Sequence, residues 1–393
     1  MNNNSILDLK QVPKELKLIF KLLTSRTSGR VISNKELSDI DWTLFMELAF
    51  HHRVYPMLYK TIKSHDENIF PSNVIAVLEH AFRSNTFQMM QLCQEMEFIN
   101  RLCTQSTIPL MFLKGPVLAT DLYGDISLRT SCDLDILIPI TDLEKMNSIL
   151  VSAGYRKDDY ILSVLGDWKW RHHHVTYSHP EKGIKLEVHW RLNPGPGKEP
   201  SFSDLWGRRR KNDFLGNPVY YLGKEDLFFF LVTHGSRHGW SRIRWLLDIQ
   251  QLMQQEVDGD IVHNLLKKFH CLKIGGQAAI LSTQLFNSKI PKELTWILKG
   301  SQSRKLAQQA IFYISNMVNL HSVPLPPEVS EYHKRHMFSL MSFHQKVLYA
   351  FSTLYPYYTD LDTLPLPKLL HFLYFPLRPF LWAWRKTRKH ALS

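Results

Sequence analysis

Apolar positions keep helical spacing to about residue 105, break into short alternating runs to about residue 222, and return to helical spacing afterwards. This change of rhythm divides the sequence into an N-terminal helical region (1–105), a mixed core (106–222) and a C-terminal helical domain with a basic, aromatic tail (223–393). In the first region Pro13 opens the run KELKLIFKLL, Asp41 is placed to cap WTLFMELAFHHRV, and Pro56 bends the chain before MLYKTIKS. The longest helix begins at Pro71-Ser72 and runs to Thr104, and its Met and Phe stripe reads as core packing.

The middle segment is built of shorter pieces. Ile108 to Leu113 reads as a buried strand that Lys114-Gly115 ends, and Pro116 to Tyr123 as a two-turn helix with Pro near its first position. Cys132 to Ile138 follows as a strand whose alternation sends Asp133 and Asp135 to one face and Cys132, Leu134 and Ile136 to the other. Thr141 and Glu144 have capping-box spacing for a helix that Gly154 stops. The runs His172–Ser178 and Ile184–Arg191 then form a hairpin across Pro180 and Gly183, with Glu187 and His189 sharing a face. The fold class is therefore α+β, a small mixed sheet with helical regions before and after it.

Composition changes this picture only in part. An apolar content of 44% and 17 glycines describe an ordinary globular chain, while a formal charge of +12 points to polyanionic company. The four cysteines (Cys93, Cys103, Cys132, Cys271) have no CxxC spacing and read as reduced thiols, which fits a cytoplasmic protein. Lys or Arg interrupts every candidate membrane span.

The chemistry concentrates in the acids. Two carboxylates side by side on a strand face repel each other, a pattern that a cation between them stabilises. With Glu187 on another strand, three hard-oxygen donors suit a two-ion Mg2+ site that activates a hydroxyl and steadies a triphosphate. Lys114, and Gly115 at a helix N-terminus, suit phosphate.

The order L-K-G at 113–115, LYGD, Arg129, D-x-D at 133–135 and LEVHW at 186–190 resembles the nucleotidyltransferase superfamily that includes DNA polymerase beta. With THGSRHGWSRIRWLLD (233–248), it resembles more narrowly a bacterial group of uncharacterised nucleotidyltransferases, over roughly residues 40–255. The resemblance implies Asp133, Asp135 and Glu187 as metal ligands and catalytic acids. It also implies an NTP donor, ATP among them, whose nucleoside monophosphate goes to a small-molecule or peptide hydroxyl or phosphate. Natural-product peptide modification is one such setting. Lys114, Gly115, Arg129, His234 and His238 become candidate nucleotide-binding residues. Two roles stay open for Arg129: a phosphate contact, or a bidentate pair that orients the acids. The sequence departs from the superfamily where Lys114-Gly115-Pro116 stands in place of Gly-Ser or Gly-Gly.

Other features read as structural. His51 and His52 read as packed helical side chains, and His172, His173 and His174 as a solvated cluster whose alternate members face opposite ways. Arg208–Lys211 reads as a solvated loop rather than a nucleic-acid patch, because no aromatic residues are interleaved with it. The tail ends in Arg385, Lys386, Arg388 and Lys389 after a run of aromatics, which leaves two readings: a peripheral contact with an anionic membrane, or a terminal helix packed on the helical domain. Two rival functions are a sugar-nucleotide glycosyltransferase, which would want an upstream αβα unit, and a non-catalytic nucleotide-binding scaffold, which would be expected to lack an acid. An RNA-tailing enzyme is a third, and no known RNA module accompanies it.

Overall fold

Asp41 accepts backbone hydrogen bonds from Thr43 (2.9 Å) and Leu44 (3.1 Å), so the capping read from the sequence sets the start of a helix at Trp42. A computed structural model describes residues 6–28, 32–65, 69–214, 216–322 and 324–391. The N-terminal helices are α1 (Lys14–Ser28), α2 (Trp42–His51), α3 (Tyr55–Lys63, with Pro56 in its first turn) and α4 (Ser72–Gln105). Helix α4 ties two cores together. Its first half buries Val74 and Leu78 with the helices, and its second half buries Met96, Ile99 and Cys103 against the sheet.

The sheet has seven strands in the order β3-β4-β5-β2-β1-β7-β6. They are β1 (Met111–Phe112), β2 (Asp133–Leu137), β3 (Arg156–Lys157), β4 (His174–His179), β5 (Ile184–His189), β6 (Arg210–Phe214) and β7 (Asn217–Tyr221). β5 runs parallel to β2, and β7 parallel to β1; the other neighbours are antiparallel, so the sheet is mixed. Leu134, Ile136, Leu186 and Val188 point into the sheet core with Phe112, Met146 and Leu150, which leaves the opposite face of β2 and β5 for the acids. The chain is α+β, as its rhythm implied.

After β1 comes α5 (Pro116–Tyr123), closed by Gly124 in the left-handed region, and α6 (Leu143–Ser152) follows β2. Beyond the sheet lie α7 (Lys224–Arg237), α8 (Ile243–Met253), α9 (Gly259–Lys268), α10 (Leu272–Leu285), α11 (Ser301–Ser315) and α12 (Pro327–Leu340). Leu16, Phe45 and Leu58 from the first region share one buried cluster with Phe228, Leu246 and Leu281 from the third. Segments far apart in sequence thus make one hydrophobic body.

Four expectations need correction. The first strand is shorter than Ile108–Leu113, because Pro109 offers no N–H to a ladder and Thr107 has φ +53°, although Ile108 and Leu110 stay buried. Thr141 and Glu144 make no capping box: a 3-10 turn, Ile140–Asp142, moves the cap position of α6 to Asp142, which makes no side-chain cap bond. Arg208–Lys211 is not a solvated loop. Arg210 and Lys211 enter edge strand β6, where Arg210 forms a bidentate pair with Asp121 (2.7 and 2.8 Å), and Arg208 pairs with Asp226. The charged run is what a sheet edge tolerates, and it also masks the strand signal. Finally, His172 closes the short helix Trp168–Arg171 and β4 begins only at His174, so strand alternation does not separate His173 from His174.

The C-terminal segment adds α13 (Phe343–Leu354), a 3-10 stretch over Lys368–Leu373, and α14 (Tyr374–Ala391), which contains Pro379. Pro376 sits in the first turn, where N–H groups have no helical partner, and Pro379 removes one bond further on. Arg378 and Arg385 both pair with the buried carboxylate of Asp360, and Tyr355 reaches the Leu165 carbonyl (3.0 Å). Only the backbone of the tail bases Arg388 and Lys389 is described. No helix among the described residues is long and apolar enough to cross a membrane.

Candidate active site

Parallel pairing of β2 with β5 puts Asp135 opposite Glu187 and Leu137 opposite His189. Because side chains alternate, Asp133, Asp135, Glu187 and His189 share one face. Asp135 lies at the floor with 0% exposure, while Asp133 and Glu187 are half-buried and open onto a cavity of about 460 Å3. His189 links the acids: its Nε2 is 3.2 Å from Asp135 Oδ1 and 3.3 Å from Glu187 Oε2. Lys114 Nζ lies 3.0 Å from the same Asp135 oxygen.

These contacts decide the charges. Burial works against ionising Asp135, but Lys114 and His189 outweigh it and hold the carboxyl well below its usual range. Asp133 is pushed up to about 6, by burial first and then by the neighbouring charge of Asp135, with Lys114 giving partial relief. Glu187 is lowered despite burial because His189 hydrogen-bonds to it, and the two carboxylates raise His189 against the same burial.

The residues present fit a divalent cation. Asp135 Oδ2 is buried with no hydrogen-bond partner among the described residues, and a cation between Asp133 and Asp135 would offset both the burial and the mutual repulsion that push Asp133 up. Ligand atoms of Asp135, Glu187 and His189 lie within 4.8 Å of one another, as do those of His173, His174 and His189. The second set is a correction to the histidine reading: with His173 outside the strand, its Nε2 comes 3.1 Å from His174 Nδ1, and both rings line the cavity.

The candidate phosphate residues divide. Gly115 caps α5 with φ +79°, a conformation an L side chain adopts only under strain. The Lys114 ammonium is engaged by Asp135. Arg129, 1% exposed, forms its bidentate pair with Asp248 of α8 (Nε 3.0 Å from Oδ1, Nη2 3.0 Å from Oδ2) and not with Asp133 or Asp135. Tyr123 donates to the same aspartate at 2.8 Å.

His234 and His238 project from the end of α7 into the cavity, with rings 4.7 Å apart and both against Trp245. Burial lowers both well below the ordinary imidazole range, Lys114 adding to this for His234 and Arg237 for His238. Gly235 between them is dictated by packing: a Cβ there would stand 2.1 Å from the Trp240 ring. His51 contacts the Ser241 carbonyl (3.0 Å) and Arg242, and His52 is 0% exposed.

The cavity is also lined by Arg53, Cys132, Arg237, Arg242 and His321, which the sequence did not single out, and by Arg244 of the helical motif, which had no expected role. The signal was present for three of them, since Arg237, Arg242 and Arg244 fall within eight residues of the His-Trp motif.

A family model described as uncharacterised nucleotidyltransferase matches residues 38–287. The chain belongs to that family. This nucleotidyltransferase has no match among curated proteins. Among solved structures it is similar to the antibiotic-resistance factor ANT(2'')-Ia in solution, at 13% identity and a TM-score of 0.34 over 47% of this chain and 92% of that one. A crystal structure of ANT(2'')-Ia with adenylyl-2''-tobramycin gives 13% identity and 0.33 over 46% and 97%. An antigenic nucleotidyltransferase-like protein from Paracoccidioides brasiliensis gives 16% identity and 0.29 over 50% and 97%. Likeness at that level does not bear on the site, and the family assignment rests on the sequence match.

Proposed function

We propose that this nucleotidyltransferase moves a nucleoside monophosphate from an NTP to a hydroxyl or phosphate of a small molecule or peptide, with Asp133, Asp135 and Glu187 holding Mg2+. The observation that carries the reading is the Asp135–Glu187 register with Asp133 on the same face: Asp133 and Glu187 line one cavity, and Asp135 lies buried beside them. Bound Mg2+ would supply charge neutralisation at the reacting phosphate. Lys114 and His189 keep Asp135 ionised and aimed, which leaves its second oxygen as a donor. For a hydroxyl acceptor, an O–P bond forms at the α-phosphorus as the bridge to the β-phosphate breaks and pyrophosphate leaves. The hydroxyl proton passes to Glu187, whose carboxylate faces the cavity. Phe230 and Trp245 line the same cavity and limit water there. Positioning and preorganised charge carry the rate.

The test is transfer of α-phosphate label from each NTP to a small-molecule or peptide fraction in Mg2+. Loss of transfer in Asp133→Asn and Glu187→Gln is the expected result. Undiminished transfer in folded Asp133→Asn rejects the assignment.

One further contact is favoured by a specific surface. Phe372, Phe380, Trp382 and Trp384 are each more than half exposed, and the Lys386 ammonium lies 5.1 Å from the Trp382 ring centroid. Exposed aromatics with a cation among them suit an anionic lipid surface. Phe380→Ser with Trp382→Ser should abolish sedimentation with phosphatidylserine vesicles, and equal sedimentation by the full chain and this variant removes the reading.

A further inference from the structure

The cavity is asymmetric in charge. Its helix-side lining brings together Arg53, Arg237, Arg242 and Arg244, and none of the four has a carboxylate within ion-pair distance among the described residues. This contrasts with the other two cations of the lining, since Lys114 is matched by Asp135 and Arg129 by Asp248. Arg244 is only 6% exposed; Thr130 takes one of its amino groups, and its Nε has no partner. Arg237 Nη1 is likewise buried without a partner, and its side chain makes no hydrogen bond among the described residues. Arg242 is steered by His51 (2.5 Å), and Arg53 follows that helix with φ +56°.

Burial lowers Arg237 and Arg242 to about 10 and Arg244 to about 9, and nearby arginines add to the last two shifts. Leaving buried guanidiniums unpaired is costly, and a multivalent anion whose oxygens accept several N–H bonds removes that cost. On the sheet side Lys114 is already paired with Asp135, so the unmatched positive charge of the cavity lies on the arginine side.

We propose that Arg53, Arg237, Arg242 and Arg244 form a phosphate-chain subsite, which receives the terminal phosphates of the donor across the cavity from the acids. This rests on the nucleotidyl-transfer reading for its donor, but the anion chemistry is shared by a phosphate carried on the acceptor. The subsite works without metal, because the guanidiniums supply the charge.

The experiment is calorimetric titration of the full chain with inorganic tripolyphosphate in metal-free buffer. Wild type should bind it. Arg237→Gln and Arg53→Gln should each weaken binding about tenfold, the usual worth of a charge-assisted contact. Arg237→Lys should recover part of the loss, and Asp133→Asn should bind at least as well as wild type. Should Arg237→Gln fail to fold, Arg53→Gln still decides, since the Arg53 side chain makes no hydrogen bond or ion pair among the described residues. Displacement of tripolyphosphate by NTP identifies the donor's chain, and simultaneous binding identifies a phosphate on the acceptor. Equal affinity in wild type and both glutamine variants, as general surface charge would give, overturns the subsite, as does absence of binding to folded wild type. Label transfer that fails while tripolyphosphate binding persists counts against the transfer reading alone.

Discussion

Replacing Asp248 tests whether the Arg129 motif is a strut or a ligand. Arg129 is 1% and Asp248 0% exposed, and Nε and Nη2 meet the carboxylate at 3.0 Å each, with Tyr123 donating at 2.8 Å. The pair spans 119 positions of sequence and fastens the loop before β2 to α8. Truncating one partner leaves a buried charge unmatched, which costs about 3–5 kcal/mol. Asp248→Leu and Arg129→Met should therefore each lower urea-denaturation stability by about that much. The double variant should lose far less than their sum, because a neutral pair of similar volume leaves no buried ion. Single variants within about 1 kcal/mol of wild type, or strict additivity in the double, would show that the pair is not a strut. Unchanged stability with weakened NTP binding in Arg129→Lys would show instead that this guanidinium touches phosphate.

Gly235→Ala should destabilise the fold by about 1–3 kcal/mol, since the added methyl meets the Trp240 ring at 2.1 Å; a melting temperature equal to wild type contradicts this packing. Acid should destabilise the chain early. Burial holds His336 and His51 at about 4 in the folded state against about 6.5 when unfolded, so below pH 6.5 the unfolded chain binds more protons and stability falls with pH. Between pH 7.5 and 5.5 His336 contributes a loss of about 1 kcal/mol, and His51, partly open to solvent, contributes less. His336→Phe should flatten the pH dependence of urea denaturation by that amount, and an unchanged slope counts against a neutral buried His336.

Local signals carried much of the fold. Pro116 and Gly124 bracket α5, Asp41 caps α2, and the alternation around Asp133, Asp135 and Glu187 sends the acids to one face because strand geometry leaves no choice. What stayed illegible depends on partners distant in sequence. Nothing near Lys114 indicates that its ammonium is taken by Asp135, and nothing near Arg129 names Asp248. The β6–β7 hairpin hid behind its charges, since an edge strand needs no apolar alternation. His173 is illegible because the strand starts two residues later than the run from His172 implies, and a shift of that size decides which side chains meet the cavity. The arginine lining was visible as composition around residues 237–244 but not as one wall, because Arg53 arrives from the first helical region.

In the proposed reaction the carboxylates of β2 and β5 form a metal-dependent nucleotide site. The most direct measurement is the melting temperature of wild type and Asp133→Asn with each NTP, with and without Mg2+. A ligand at one hundred times its dissociation constant adds about 2.7 kcal/mol to the folded state, enough to read as a shift. The expected result is a rise with NTP and Mg2+ together that is lost in Asp133→Asn. A rise of equal size in the variant, or none with any NTP in Mg2+, would contradict it.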